Sequence, residues 1–185
     1  AMAFEIEKTV QKGRASPTDT SVSTFGGIVM ITGTQRRRLP PQNLPLVVGN
    51  TLVSHSTAKM VEKVADLKKK NPEICEPILD AIGAVSMCAI RNFSDPHALG
   101  NLMNMNHALL EALGAGHPTL SRLVLAARAA GAYGAKLTGA GGGGCMVAIC
   151  PKHLKSRVVG AVEACDAKAF ITNLDTEGAR KEKDV

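Results

Sequence analysis

Five of the six residues from Gly139 to Gly144 are glycine, and this stretch constrains the fold more tightly than any other. Glycine loses more conformational freedom on folding than any other residue. Such a run is tolerated only where the backbone must turn sharply or be approached closely. Apolar segments flank it: Lys136–Thr138 reads as the end of a strand, and Cys145–Cys150 as a buried strand. The run is therefore a strand-to-strand connection, and two phosphate-binding templates fail on that ground. A P-loop needs Lys-Ser/Thr after its last glycine, and Cys145-Met146 stands there. Gly139-x-Gly141-x-x-Gly144 has the lettering of the dinucleotide fingerprint, but a helix should open there and a strand does. Two readings remain: a glycine hairpin that lets strands approach, or a loop whose bare N–H groups converge on an anion.

Periodicity elsewhere predicts a mixed chain. Ala1–Gln11 carries Met2, Ala3, Ile6 and Val10 at helical spacing, with Gly13 as a stop. Arg14–Thr20 reads as a polar turn, and Ser21–Phe25, Gly27–Ile31 and Leu44–Val48 read as strands. Four helices follow: from a cap at Ser56 or Thr57 to Lys70, from Pro72 to Asn92, from Pro96 to Leu113, and from Thr119 to Ala130. After the glycine strands come a helical Pro151–Cys165 and a last strand, Ala169–Asn173. The sum is an α+β fold, a small antiparallel sheet with helices packed on one face.

Composition narrows the classes of function. The net charge of +6 is spread along the chain, aromatic residues make up 3% and Trp is absent. Nucleic-acid binders concentrate basic residues and add stacking aromatics, so no nucleic-acid partner is expected, and the core must be aliphatic. Arg36-Arg37-Arg38 reads as a solvated hairpin or loop, and Arg180–Asp184 as a frayed tail. Five cysteines without a Cys-x-x-Cys pair suggest free thiols rather than a disulfide framework or zinc site. No run approaches the ~18 apolar residues of a membrane helix and no basic leader opens the chain. A cytoplasmic location without a membrane partner is expected. His107, in a helical stretch, reads as a surface or packing residue, with a site residue as the alternative.

Lys136-Leu137-Thr138-Gly139-Ala140-Gly141-Gly142-Gly143-Gly144-Cys145 closely resembles the third motif of the GHMP small-molecule kinases. Ala15-Ser16-Pro17-Thr18-Asp19-Thr20-Ser21-Val22-Ser23-Thr24-Phe25-Gly26-Gly27 resembles the segment that carries the catalytic aspartate in the mevalonate kinase subfamily. Asn50-Thr51 with Thr57, and Met103–His107 through Leu113-Gly114, are similar to that subfamily in its archaeal type. The resemblance covers nearly the whole chain. It implies a GHMP kinase C-terminal domain with a ferredoxin-like antiparallel sheet over residues 31–185. Residues 1–30 are then the end of an N-terminal-domain helix and the catalytic-aspartate segment. A whole enzyme of this family opens with an ATP-binding domain holding a Pro-x-x-x-Gly-Leu-Gly-Ser-Ser-Ala loop and an N-terminal lysine near the reacting hydroxyl. Neither motif occurs here, so that domain is expected to be largely absent, to be this chain's partner, and to leave the chain alone inactive.

The implied activity is transfer of the γ-phosphoryl group of ATP to the 5-hydroxyl of mevalonate, with ATP and Mg²⁺ as cofactors. Asp19 is then the catalytic carboxylate; on the residues alone it is equally a turn or cap after Pro17. Glu7 is the implied Mg²⁺ ligand, with Glu5 as the alternative. Thr57 lines the mevalonate pocket, unless it is simply the helix cap. Thr138, Gly139, Ala140, Gly141, Gly142, Gly143 and Gly144 contact phosphate and substrate. The competing readings are another GHMP enzyme (phosphomevalonate kinase or mevalonate-diphosphate decarboxylase) and a non-enzymatic basic binding module. A homodimer is compatible with the family.

Overall fold

Two short helices and a hairpin form the first of two units. The computed structural model describes residues 2–10 and 16–180. The first unit draws on residues up to Asn43 and from Asn173 onward, and the second is Leu44–Thr172. Helix α1 (Met2–Val10) follows the apolar spacing; its expected stop at Gly13, with Arg14 and Ala15, lies outside the described residues. Helix α2 (Pro17–Phe25) corrects the expected strand over Ser21–Phe25 and the turn before it. Ser16 Oγ accepts the N–H of Thr18 at 3.3 Å, and Pro17 takes the first helical position, where its fixed φ suits a helix and its missing N–H costs nothing. The hydroxyl-rich run stays helical because its side chains bond back to the helix. Thr20 Oγ1 donates to Pro17 O at 3.3 Å and Thr24 Oγ1 to Thr20 O at 2.6 Å.

Strands β1 (Val29–Thr32) and β2 (Gln35–Arg38) pair antiparallel, so the arginine triplet lies on an exposed hairpin strand. The segment after Asn173 runs along the end of α2: Gly27 N–H donates to Asp175 O at 2.7 Å and Ala179 N–H to Ser23 O at 2.9 Å. Arg180 pairs with Glu177, and the rest of the expected frayed tail lies outside the described residues.

The second unit runs β3 (Leu46–Asn50), α3 (Thr57–Lys70), α4 (Pro72–Arg91), α5 (Pro96–Ala112), α6 (Pro118–Ala129), β4 (Gly134–Leu137), β5 (Cys145–Ile149), α7 (Lys155–Glu163) and β6 (Lys168–Thr172). The strands form one antiparallel sheet in the order β4-β5-β3-β6, a ferredoxin-like sheet as the family resemblance implies. Alternation along the strands turns Val47, Ala135, Leu137, Met146 and Ala148 to one face, against Leu120, Leu123, Val124 and Ala127 of α6 and Val158 and Val162 of α7. All of these are fully buried, each contributing on the order of 1–3 kcal/mol, least for the alanines. The core is aliphatic, as a chain without Trp requires.

Helix α5 does something different. It lies along the outer edge of β4, with Gly100 pressed against the Tyr133 backbone. Asn104 Oδ1 accepts the N–H of Ala135 at 3.0 Å and its Nδ2 donates to Tyr133 O at 3.3 Å. The helix thus satisfies strand groups that would otherwise form an open sheet edge.

Candidate functional site

The glycine loop joins β4 to β5 and is closed at its base by Thr138 N–H donating to Cys145 O at 3.0 Å. All five of its glycines have positive φ. At two of them the requirement is also steric: a Cβ at Gly141 would fall on the carbonyl of Ala115, and one at Gly143 would lie 2.8 Å from the carbonyl of Val53. The loop is bolted down by backbone bonds. Gly142 N–H donates to Ala115 O at 3.0 Å, Gly144 N–H to Val53 O at 3.1 Å, and Gly144 O accepts from Thr51 N–H at 2.9 Å. Thr51 Oγ1 donates to the same Gly144 oxygen at 2.9 Å. The other four N–H groups, of Gly139, Ala140, Gly141 and Gly143, have no protein acceptor among the described residues. A rigid loop with four unspent donors and no Cβ at three of them is suited to an anion.

The β3–α3 connection and the first turn of α3 lie against this loop, with His55 beside Gly144 and Met60 beside Gly142. Thr57 is therefore carried close to the glycines, exposed, as the first residue of α3. It is not the cap: Ser56 Oγ accepts the N–H of Lys59 at 3.4 Å. Within the same connection Leu52 holds a left-handed φ of 59° while 59% exposed, a conformation that costs a non-glycine residue roughly 1–2 kcal/mol.

In the first unit, Asp19 occupies the third position of α2. It is neither the cap nor part of a turn, and its exposed carboxylate sits near the positive end of the helix dipole. Asp19 and Glu7 line one cavity of about 490 Å³ together with Thr20, Ser23 and Thr24. Glu5 lines a different one, of about 370 Å³, with Thr20, Ser21 and Arg36. Glu7 thus shares a cavity with Asp19, while Glu5 lines the adjoining one, which has Thr20 and Thr24 in common with it.

Residues 86–167, from the last two turns of α4 to the turn before β6, match the family model for the C-terminal domain of GHMP kinases. The chain carries a GHMP kinase C-terminal domain. It is 41% identical over 189 aligned positions to the mevalonate kinase of Thermococcus gammatolerans, covering 98% of this chain and 56% of that protein. Among solved structures it is similar to the Methanococcus jannaschii mevalonate kinase, at 29% identity and a TM-score of 0.80 over 92% of this chain and 54% of that one. It is also similar to the L. major mevalonate kinase in complex with R-mevalonate, at 30% identity and a TM-score of 0.74 over 89% and 55%. The chain spans about half the length of the curated relatives it matches.

In this GHMP kinase domain several residues around the glycine loop had no assigned role in the sequence. Thr51, Val53 and Ala115 hold the loop through backbone or hydroxyl contacts. Asn104 and His107, one helical turn apart on α5, hold its leading strand. His107 is 3% exposed; its Nδ1 accepts the N–H of Leu137 at 3.3 Å and its Nε2 lies 3.4 Å from Glu111 Oε1. Burial lowers the His107 pKa below the ordinary histidine value, Arg128 and Lys136 lower it further, and Glu111 opposes them. Burial also lowers the pKa of Lys136, whose Nζ donates to Leu137 O at 2.8 Å. The one signal in the sequence was a pair of polar residues at helical spacing on an otherwise apolar helix face.

Proposed function

We propose that this chain is the catalytic-aspartate and glycine-loop portion of a mevalonate kinase, which transfers the γ-phosphoryl group of ATP to the 5-hydroxyl of mevalonate. One observation carries this: the similarity to mevalonate kinases runs the length of the chain and includes both the Asp19 segment and the glycine loop. Phosphoryl transfer asks little covalent chemistry of a protein and much positioning and charge neutralisation. The four unspent N–H groups of Gly139, Ala140, Gly141 and Gly143 meet that need by fixing phosphate or carboxylate oxygens. Asp19, exposed on the first turn of α2, accepts the proton of the attacking hydroxyl. Thr57 contributes a hydroxyl beside the loop to orient the substrate. The cavity beside Asp19 also fits Mg²⁺, because its two carboxylates, of Glu7 and Asp19, are the hard oxygen ligands that ion takes, and water and substrate phosphate would fill its other positions. Glu7 and Asp19 would hold the ion, which when bound offsets the phosphate charge.

The relatives are longer than this chain, and their remaining portion would supply the ATP-binding domain and the lysine. Among the described residues no helix is long and apolar enough to cross a membrane. The decisive test is ADP release by a longer protein that contains this sequence, with mevalonate or phosphomevalonate as acceptor. Mevalonate-dependent turnover is expected, Asp19→Asn should lower it by roughly 10²–10⁴, and the 185-residue chain alone should show none. Turnover with phosphomevalonate in its place would refute the assignment.

A further inference from the structure

We propose that His107 is a positioning residue for the glycine loop, holding the end of β4 through a hydrogen bond that only the neutral imidazole can accept. The proposal rests on the phosphate-facing role given to Gly139–Gly144 above and adds a residue that touches neither phosphate nor substrate. In the β4–β5 ladder Leu137 faces Met146, and its N–H points away from β5 to His107 Nδ1, 3.3 Å distant. Leu137 lies two residues before Gly139, so this bond fixes the direction in which the chain enters the loop. On its other flank the imidazole lies 3.4 Å from Glu111 Oε1, which assigns the single proton to Nε2 and the lone pair to Nδ1. Glu111 is held in turn by the hydroxyl of Ser121.

The charged groups facing His107 come from three elements. Glu111 on its own helix favours a second proton; Arg128 on α6 and Lys136 on β4 oppose one, as does burial. The balance keeps the ring neutral at ordinary pH. A second proton would sit on Nδ1 and point at the Leu137 N–H, turning an attraction between donor and acceptor into repulsion between two donors. The stem of the loop would then fray, and Gly139, Ala140 and Gly141 would lose their fixed orientation. A histidine that merely fills space would have no such effect.

Hydrogen exchange followed by NMR on the 185-residue chain tests this, with the His107 transition located from the imidazole Cε1–H shift. On acidification through that transition, protection at the Leu137 amide should fall by roughly tenfold, as for loss of one hydrogen bond. Val47 and Ala148 in the sheet centre should change by less than about twofold. His107→Asn, whose Oδ1 can stand where Nδ1 was, should keep Leu137 protected and make that protection independent of pH. His107→Leu should leave it roughly tenfold lower throughout. Should His107→Leu not fold, the wild-type titration and His107→Asn decide the matter. Leu137 protection that ignores the ionisation of His107, or that is lost in His107→Asn, would overturn the proposal. These readouts use no substrate, so a failed phosphate-loop assignment shows itself separately, as unshifted amides at Gly139, Ala140 and Gly141 on adding inorganic tripolyphosphate.

Discussion

The N–H of Gly142 donates to the carbonyl of Ala115 at 3.0 Å, and the same carbonyl fills the space a side chain at Gly141 would need. One backbone oxygen in the turn after α5 thus sets both the height of the glycine loop and the identity of a residue in it. The loop's flexibility as a sequence is spent on a close approach, and the folded loop is rigid where it meets Ala115 and Val53.

Two glycines in this loop should respond differently to the same substitution. Gly139 and Gly141 have similar φ, 71° and 78°, but nothing lies within 4 Å of a Cβ at Gly139. Gly139→Ala should therefore cost only the left-handed backbone term, about 1 kcal/mol. Gly141→Ala adds a collision with the Ala115 carbonyl and should cost at least ~3 kcal/mol, as the loop must lift off that anchor. Denaturant melts of the two variants measure the difference, and equal losses would mean that the Ala115 contact does not constrain the loop.

Asp19→Asn separates chemistry from stability. The side chain is exposed and Ser16 carries the capping bond, so the substitution removes only a favourable charge from the first turn, about 0.3–1 kcal/mol. Activity in a longer kinase containing this sequence should fall by roughly 10²–10⁴, the usual weight of general-base catalysis. Thermal denaturation alongside ADP release checks both halves. A large loss of stability would assign Asp19 a structural duty instead.

Much of the second unit was legible from spacing alone. Leu120, Leu123, Val124 and Ala127 recur at helical intervals, and Pro72, Pro96 and the Ser56 cap mark helix starts that the structure shares within a residue or two. The ferredoxin-like character of the sheet followed from the family resemblance. Helix α2 was not legible, because Ser-Val-Ser-Thr-Phe favours a strand locally and only its start signal, Ser16-Pro17, argues otherwise. The anchors of the glycine loop were hidden for another reason. Gly142 to Ala115, Ala135 to Asn104 and Leu137 to His107 are bonds between backbone and distant partners, and their one mark in the sequence is the polar pair Asn104 and His107 on the apolar face of α5. Glu7 and Glu5 could not be separated by composition; the direction each takes from α1 separates them, since only Glu7 shares the cavity of Asp19.

Stability should rise with pH across the region just below the ordinary histidine pKa. His107 is more acidic in the folded chain because burial, Arg128 and Lys136 disfavour its charged form. Between the lowered folded value and the ordinary unfolded one, the unfolded state binds more protons, so the unfolding free energy increases with pH. The contribution is complete above the unfolded pKa of about 6.5 and is lost as pH falls towards the folded value. Urea melts over this range should show the slope in the wild type and a shallower one in His107→Asn. A wild-type stability that falls with rising pH there would contradict the assigned neutral ring.

The edge of β4 offers the sharpest test of what α5 contributes. Asn104 satisfies two strand groups at once, the N–H of Ala135 and the carbonyl of Tyr133, and Ala135 itself is fully buried. Asn104→Ala leaves both without a partner beneath a helix that still covers them, which should cost about 2–3 kcal/mol after partial rescue by water. Asn101, exposed on the same helix, is the matched control, and Asn101→Ala should change stability by less than about 0.5 kcal/mol. Because the two positions share helix and residue type, propensity cancels and the difference reports the β4 bonds alone. Equal effects in urea melts would mean that α5 holds the strand by apolar packing, with the amide contributing nothing.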